Sequence, residues 1–213
     1  MTLYAKTALL ICCLFLFSAV PAGAGEIHQA AQKGDLKSVE RFLKENPELL
    51  NTGDLGEGRT PLHWASLGGG VEVTSFLIRK GAQVHAKDKD GQEPLHCATK
   101  EEVAKILIGR GGNVTARDNY GRIPLHYAAY YGKDNMVRYF LDAGSPVNAV
   151  DEEGNTPLVL AVMQGKKGAV EALIEKGAQV NLALKDGGTP LSIAKKKGYR
   201  EIIVILEKNN ARD

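Results

Sequence analysis

Residues 58–90 read GRTPLHWASLGGGVEVTSFLIRKGAQVHAKDKD, and residues 121–153 read GRIPLHYAAYYGKDNMVRYFLDAGSPVNAVDEE. Each stretch is 33 residues long, carries Pro-Leu-His near its start and has a glycine eight residues after that proline. Similarity at a fixed period of this length is typical of proteins built from repeated structural units. The internal repeat therefore decides the fold.

The same pattern extends through most of the chain. Five Pro-Leu pairs follow one another at spacings of 33, 30, 33 and 33 residues, at Pro61, Pro94, Pro124, Pro157 and Pro190. Four of these prolines are followed eight residues later by a glycine, at Gly69, Gly132, Gly165 and Gly198. Because chance does not align several columns at one period, we count six units, near residues 26–57, 58–90, 91–120, 121–153, 154–187 and 188–213.

Each unit carries the signals of two short antiparallel helices. Thr60 before Pro61 supplies an N-cap hydroxyl and then the residue that loses nothing at the first helical position. Gly69 allows the turn between the helices, and Gly81 closes the second helix in a left-handed conformation. Apolar residues recur at helical spacing in both halves of the unit, at Leu62, Ala65, Val73, Phe76 and Leu77.

These motifs resemble the ankyrin repeat, and the resemblance covers residues 25–213. It implies an all-α fold, an ankyrin-repeat solenoid of about six stacked helix-turn-helix units with projecting loops. No unit buries its apolar face alone, so stacked neighbours must form one continuous core. The first unit is less regular, because residues 27–31 fill the Leu-His slot without a preceding Thr-Pro.

The third unit departs from the pattern. It is three residues shorter than the unit on either side and has no mid-repeat glycine, so Lys100 leads directly to Glu101. We therefore predict a truncated first helix in this unit. Glu93 and, in the fourth unit, Ile123 occupy the threonine slot, and each replacement removes a hydroxyl cap worth about 1 kcal/mol.

The N-terminal stretch has the features of a targeting segment. Lys6 precedes a run of apolar and small residues over 8–20, and this run of 13 is short for a membrane span, which needs about 20 residues. Small residues then stand at positions 22–24, where a signal peptidase cuts. We predict a signal peptide over residues 1–24, cleaved after its last residue, and a mature ankyrin repeat domain over residues 25–213 that is periplasmic or secreted. An uncleaved membrane anchor is the alternative.

Composition and charge narrow the classes of partner. Apolar residues make up 44% and charged residues 24% of the chain, both near globular averages. The net charge of +2 is too close to zero for a protein held to nucleic acid mainly by phosphate contacts. We expect no nucleic acid partner, no membrane contact after signal cleavage and a monomeric protein. Cys97 is the one cysteine outside the predicted signal, so the mature chain has no internal disulfide.

The histidines, the cysteine and the loop aspartates do not have the pattern of a catalytic or metal site. Histidines fill the same slot of successive units and would stand roughly 10 Å apart, too far to share a metal ion; they are His28, His63, His96 and His126. Cys97 follows His96, but adjacent residues on a helix do not face each other. Recurring loop aspartates are better explained as turn caps; they are Asp54, Asp88, Asp118 and Asp151. We predict no catalytic residue, no cofactor and no metal, and therefore no enzyme.

The resemblance implies a concave binding surface made of the loop tips and the exposed side of the first helices. Aromatic and arginine side chains are the types that most often anchor interfaces. The residues we predict to contact a partner lie in those slots and are Arg59, Trp64, Tyr120, Arg122, Tyr127, Tyr130, Tyr131, Met163 and Gln164. The sequence thus predicts a non-catalytic protein–protein interaction module that binds a protein of unknown identity outside the cytoplasm, and that protects or neutralises an exported enzyme.

Two other functions stay open at this point. A small-molecule-binding or enzymatic repeat protein would need a concave pocket with convergent titratable groups. A deep pocket holding His96 or Cys97 with a perturbed pKa would favour that alternative. A membrane-anchored scaffold is the third interpretation, and it requires that the apolar segment over residues 9–20 be retained.

Overall fold

A computed structural model describes residues 24–185 and 187–212. Eleven α-helices and one short 3-10 helix make up the regular structure of this part of the chain, which contains no strand. The predicted all-α fold is confirmed. The predicted signal peptide lies outside the described residues except for Ala24.

The helices follow one another in pairs along the chain. In order they are α1 (Ala24–Lys33), α2 (Leu36–Glu45), the 3-10 helix (Pro47–Asn51), α3 (Pro61–Gly68), α4 (Val71–Arg79), α5 (Glu101–Ile108), α6 (Pro124–Tyr131), α7 (Asp134–Asp142), α8 (Pro157–Met163), α9 (Lys167–Glu175), α10 (Pro190–Lys197) and α11 (Arg200–Lys208). Helix α5 alone has no preceding partner within its unit.

The helices form two layers. The second helices of the units, α2, α4, α5, α7, α9 and α11, each pack on the next in unbroken succession. In the layer of first helices, α1 packs on α3, and α6, α8 and α10 pack in succession. Each pair within a unit is also in contact, so the arrangement is the predicted stack of helical hairpins.

One apolar core runs the length of the stack, from Ile27 to Leu206. The leucine of every Pro-Leu pair is buried in it, at Leu62, Leu95, Leu125, Leu158 and Leu191. Burial of each such side chain stabilises the fold by about 1.5–3 kcal/mol. The repeat therefore places its most regular apolar residue where neighbouring units meet.

Three of the five Pro-Leu pairs are followed by a histidine, and this histidine links the start of its own unit to the next unit. His63 Nδ1 accepts a hydrogen bond from the backbone N–H of Thr60 at 3.2 Å, and His63 Nε2 donates to the carbonyl of Gln92 at 2.9 Å. A backbone N–H can only donate, so Nδ1 carries no proton and the neutral ring holds its proton on Nε2. The predicted structural role of this slot is confirmed.

The same two bonds recur in the neighbouring units. His126 Nδ1 accepts from the N–H of Ile123 at 3.1 Å, and its Nε2 donates to the carbonyl of Asn155 at 3.3 Å. His96 Nδ1 accepts from the N–H of Glu93 at 3.0 Å. The units that lost the threonine hydroxyl thus keep a side-chain acceptor at the helix start.

In the fifth and sixth units, the threonine is present and the histidine is replaced. Val159 and Ser192 occupy the histidine slot there, and the hydroxyl of the preceding threonine caps the helix instead. Thr156 Oγ1 accepts from the N–H of Val159 at 3.2 Å, and Thr189 Oγ1 accepts from the N–H of Ser192 at 3.1 Å. The histidine thus satisfies the N–H of the residue before the proline, whereas the threonine satisfies the N–H three residues after itself.

The glycines of the repeat end helices as predicted. Gly69 follows α3 with φ 69° and ψ 26°, and Gly81 follows the last turn of α4 with φ 95°. Both angles lie in the left-handed region, which residues with a Cβ adopt only at a cost. These glycines reverse the chain between one helix and the next.

The third unit has no first helix at all. Residues 94–98 form a tight turn in which the N–H groups of His96, Cys97 and Ala98 donate to carbonyls three residues earlier. The following residue, Thr99, donates through its hydroxyl to the carbonyl of Leu67 at the end of α3, at 3.1 Å. The predicted truncation is confirmed, and it removes the whole helix.

We expect the turn over residues 94–99 to be the least protected of the corresponding segments in the three central units. The N–H groups of residues 96–98 donate to carbonyls three residues earlier and that of Thr99 donates to the carbonyl of Ser66, whereas residues 61–68 and 124–131 form helices. Hydrogen exchange followed by mass spectrometry should show faster exchange over 94–99 than over either helix. Equal protection of all three segments would contradict this expectation.

We also expect stability to fall in acid because of the buried histidines. Burial lowers the pKa of His126 from 6.5 to about 4 and lowers the pKa values of His63 and His96 in the same direction. The unfolded chain therefore takes up protons first. The stability contributed by neutral His126 is fully present above pH 6.5 and is lost as the pH falls toward 4, by about 3 kcal/mol.

Urea unfolding monitored by circular dichroism between pH 7.5 and pH 4 measures this loss. The control is His126→Val, because Val159 occupies the same slot in the fifth unit. This variant should be less stable than the parent at pH 7.5, since the buried N–H of Ile123 loses its acceptor and the Asn155 carbonyl keeps only the N–H of Asp151 as a donor. Its stability should also change less with pH, and an unchanged pH dependence would show that His126 is not the titrating group.

Candidate functional site

The candidate site is the inner face, defined as the loop tips together with the exposed side of the first helices. Its loops are held by aspartates that accept hydrogen bonds from backbone N–H groups two and four residues later. For Asp88 Oδ1 these donors are Asp90 at 3.0 Å and Gln92 at 2.9 Å. Asp118 and Asp151 make the same pair of bonds. The predicted turn-capping role of these three aspartates is confirmed.

Neighbouring loops are also joined to each other. The backbone N–H of Lys89 donates to the carbonyl of Glu57 at 2.8 Å, and that of Asn119 donates to the carbonyl of Asp90 at 2.8 Å. A third bond runs from Glu152 to the carbonyl of Tyr120 at 2.9 Å. The loop tips of successive units thus form one connected row.

Two of the predicted contact residues, Arg59 and Arg122, each bond to the loop aspartate 29 residues later in the chain. Arg59 Nε donates to Asp88 Oδ2 at 3.1 Å, and Arg122 Nε donates to Asp151 Oδ2 at 3.0 Å. Burial raises the pKa of Asp151, but hydrogen bonds from Asn155 and Arg122 outweigh it and hold that pKa below its ordinary value. Only 18% of the Arg59 side chain and 26% of the Arg122 side chain are exposed. Both arginines therefore have a structural role, and only a small part of each side chain is exposed.

Trp64 and Tyr127 occupy the same slot and are half-buried. Trp64 Nε1 donates to Asp54 Oδ2 at 2.6 Å, and the Tyr127 hydroxyl donates to Asp118 Oδ2. Burial, followed by this contact with the Asp118 carboxylate, raises the pKa of Tyr127. Their polar atoms are satisfied within the protein, so the rings offer a partner only apolar surface.

The exposed aromatic surface lies at three other tyrosines. Tyr131 is 60% exposed, Tyr120 is 49% exposed and Tyr130 is 38% exposed. The rings of Tyr130 and Tyr131 meet edge to face, with centroids 5.1 Å apart and an interplanar angle of 84°. Such rings combine apolar area with a polar tip, which suits them to anchor a partner.

Met163 and Gln164 continue this row into the fifth unit. They stand six and seven residues after Pro157, as Tyr130 and Tyr131 stand after Pro124. Met163 is half-buried and Gln164 is exposed at the end of α8. The predicted contact residues thus divide into two groups. Hydrogen bonds within the protein hold Arg59, Trp64, Arg122 and Tyr127, whereas a partner can reach Tyr120, Tyr130, Tyr131, Met163 and Gln164.

A cleft of about 460 Å³ opens on the inner face where the first helix of the third unit is missing. Leu67 at the end of α3 and Tyr131 at the end of α6 line it, with Cys97 and Ala98 of the truncated turn between them. The sequence predicted the truncation but not this cleft. The three-residue deletion next to Cys97 was the signal that could have located it.

The cleft bears on the enzymatic alternative, because His96 and Cys97 line it. Burial raises the pKa of the Cys97 thiol to about 12, so the thiolate needed for nucleophilic attack does not form near neutral pH. Both ring nitrogens of His96 already have backbone partners, the N–H of Glu93 and the carbonyl of Ala116, at 3.0 Å each. The perturbed pKa values therefore point away from a Cys–His pair that does chemistry.

Residues 24–185 and 187–212 contain neither a metal-binding cluster nor a membrane-spanning helix. No three side chains among His, Cys, Asp and Glu in this part of the chain are grouped so that they could hold a metal ion. None of the helices described there combines the length and apolar character that crossing a bilayer requires.

Comparison with known proteins shows the family. The family model for ankyrin repeats in three copies matches residues 27–118, 100–183 and 125–213. The chain is 35% identical over 74 residues to a transient receptor potential cation channel subfamily A member 1 homolog from Caenorhabditis elegans, which covers 35% of this chain and 6% of that protein. It is 37% identical over 84 residues to the human DNA-binding protein RFXANK, covering 38% of this chain and 32% of that protein.

A third relative is protein phosphatase 1 regulatory subunit 27 from Mus musculus, 36% identical over 70 residues, which cover 33% of this chain and 45% of that protein. In each comparison the chain spans less than half of the relative's length. Ankyrin repeats are protein–protein interaction modules and are generally non-catalytic. Since the family matches together cover residues 27–213 and the helices stack in paired layers, the chain belongs to the ankyrin repeat family.

Proposed function

We propose that this chain is a non-catalytic binding module that acts outside the cytoplasm, in the periplasm or as a secreted protein, and holds one protein partner on its inner face. The observation that carries the proposal is the exposed pair Tyr130 and Tyr131, on a face where hydrogen bonds within the protein hold Arg59, Trp64, Arg122 and Tyr127 in place. Accessible aromatic anchors on an ordered surface are what a protein interface requires.

The ordered loops support this proposal on energetic grounds. Backbone bonds join the tips of successive loops, and capping aspartates hold each loop internally. A surface that is already ordered loses little conformational entropy on association, so more of the contact energy appears as affinity. We therefore propose a monomer that binds with small changes to its backbone.

Action outside the cytoplasm is supported by the N-terminal sequence pattern. A basic residue, an apolar run over residues 8–20 and small residues at 22–24 have the order of a secretory signal. Cys97, the cysteine that would remain, is buried as a free thiol. The described domain thus has no exposed thiol to react in an oxidising compartment.

The partner that we propose is an exported enzyme, which the module protects or neutralises. One relative is named as a regulatory subunit of protein phosphatase 1, which provides an example of ankyrin repeats in a protein that regulates an enzyme. Binding over a rigid inner face can block or shield an enzyme without any chemistry by the module itself.

Processing of the chain tests its location. We expect the protein recovered outside the cytoplasm of its native host to begin at Gly25, because the small residues at 22–24 fit signal peptidase. Intact-mass measurement of the purified protein reads this end directly. Recovery of residues 9–20 in membrane-bound protein would instead indicate an anchor.

The tyrosine pair tests the binding face. The tagged mature chain serves as bait in the exported fraction, and the captured protein is then purified for binding measurements. Replacing Tyr130 and Tyr131 together by alanine should weaken its binding at least about tenfold, since hot-spot aromatics dominate interface energy. Isothermal titration calorimetry gives the dissociation constants.

The matched control is Val204→Ala. Val204 is 63% exposed on α11 in the other helix layer, so its truncation should leave affinity unchanged. Circular dichroism confirms that both variants are folded. Unchanged affinity of the folded tyrosine variant, or no exported protein captured by the parent chain, would count against the proposal.

A further inference from the structure

The cleft lies at the third unit, because it follows from the three-residue deletion there. The layer of second helices runs without a break from α4 through α5 to α7, while no first helix stands between α3 and α6. In the units on either side, the corresponding space is filled by the last turn of the first helix. The stack is therefore continuous on one side and open on the other at this one unit.

The surface inside the cleft is largely apolar. The aliphatic side chain of Leu67, the methyl groups of Ala98 and Ala128 and the ring of Tyr131 line it. Its volume of about 460 Å³ lies within the range of protein sites that enclose a small ligand, about 300–1,000 Å³. It is therefore large enough for a bulky side chain of a partner together with a neighbouring group.

The charged residues of the cleft have one sign. Arg59 and Lys133 line it, and no Asp or Glu of the described residues does. Arg59 uses Nε for Asp88, and its guanidinium makes no other hydrogen bond within residues 24–185 and 187–212. Asp88 already pairs with the charge of Arg59, so the two Nη atoms serve as hydrogen-bond donors to an acceptor, and Lys133 at the margin supplies the second cation.

The acidic side chains nearest to Lys133 belong to a separate shallow cleft. Glu101, Glu102 and Asp134 line that space together with Lys133. Glu101 pairs with Lys105 at 2.7 Å, so its charge is already compensated. Lys133 stands between the two clefts and is the cation that a partner can reach from the inner face.

We propose that this cleft receives a segment of the partner protein in which an acidic side chain stands beside an aromatic or large aliphatic one. The apolar side chain fills the space left by the missing helix, and the carboxylate meets Arg59 and Lys133. The inference rests on the proposed function, because it specifies what a partner on the inner face must present. A basic segment would bring like charges together and is disfavoured.

The test is a selection of random twelve-residue peptides displayed on phage against the folded mature chain. Enriched peptides should contain Asp or Glu next to an aromatic or large aliphatic residue. Synthetic copies should bind, and replacing their acidic residue by the matching amide should weaken binding about tenfold, as expected when a charged partner is lost.

Variants of the protein then locate the bound peptide. Lys133→Glu and Ala98→Trp should each weaken binding about tenfold or more, the first by reversing the charge and the second by filling the cleft. Lys166→Glu is the matched control, because Lys166 holds the same N-cap position on α9 that Lys133 holds on α7. It should change affinity less than about twofold. Lys133 is a surface residue, so its variant keeps the test valid even where the tryptophan variant does not fold.

The outcomes separate this inference from the proposed function. Peptide binding that is lost when Tyr130 and Tyr131 are replaced, but is unchanged by Lys133→Glu and Ala98→Trp, would rule out the cleft as the peptide site. The inner face would then remain as the binding surface. Peptides that tolerate all of these changes would contradict both proposals. Enrichment of basic peptides, or of none, would also overturn the inference.

Discussion

A neutral imidazole shared between two units is the contact on which the central part of the stack depends. Its Nδ1 accepts the N–H at the start of its own unit, and its Nε2 donates to a carbonyl of the following unit, as in His63 and His126. One ring thus satisfies a helix-start donor and fixes the distance to the next loop. Both bonds form only when the ring is neutral and carries its proton on Nε2. Burial favours the same neutral form, because it disfavours the charged imidazolium.

The position of the inner face follows from that contact. The acceptor carbonyl, that of Gln92 or Asn155, lies at the end of the loop that follows. Each histidine therefore fixes the position of that loop relative to the helices. The capping aspartate then closes the loop and uses its second oxygen to hold an arginine 29 residues earlier in the chain. The result is a face in which most polar atoms are paired and a few tyrosines are left accessible.

The truncated unit shows how such a stack tolerates a deletion. The second-helix layer stays in contact through α5, and Thr99 ties the short turn to the end of α3, so the core remains continuous without the missing helix. The space that the helix would fill becomes a cleft on the binding side. A deletion that leaves the core continuous therefore alters the surface that a partner meets, and this is why we assign specificity to it.

The sequence by itself determined the period, the helical class, the positions of the turns and the truncated unit. Those features depend on residues within one or two turns of each other, such as Thr60 with Pro61 or the left-handed Gly69. The tertiary structure alone decided which of the predicted contact residues are accessible. Arg59 and Arg122 are held by partners 29 residues away, whereas the rings of Tyr130 and Tyr131 meet each other and stay partly exposed. Exposure depends on what the adjacent unit places against a side chain, and a pattern read within one unit does not contain that information.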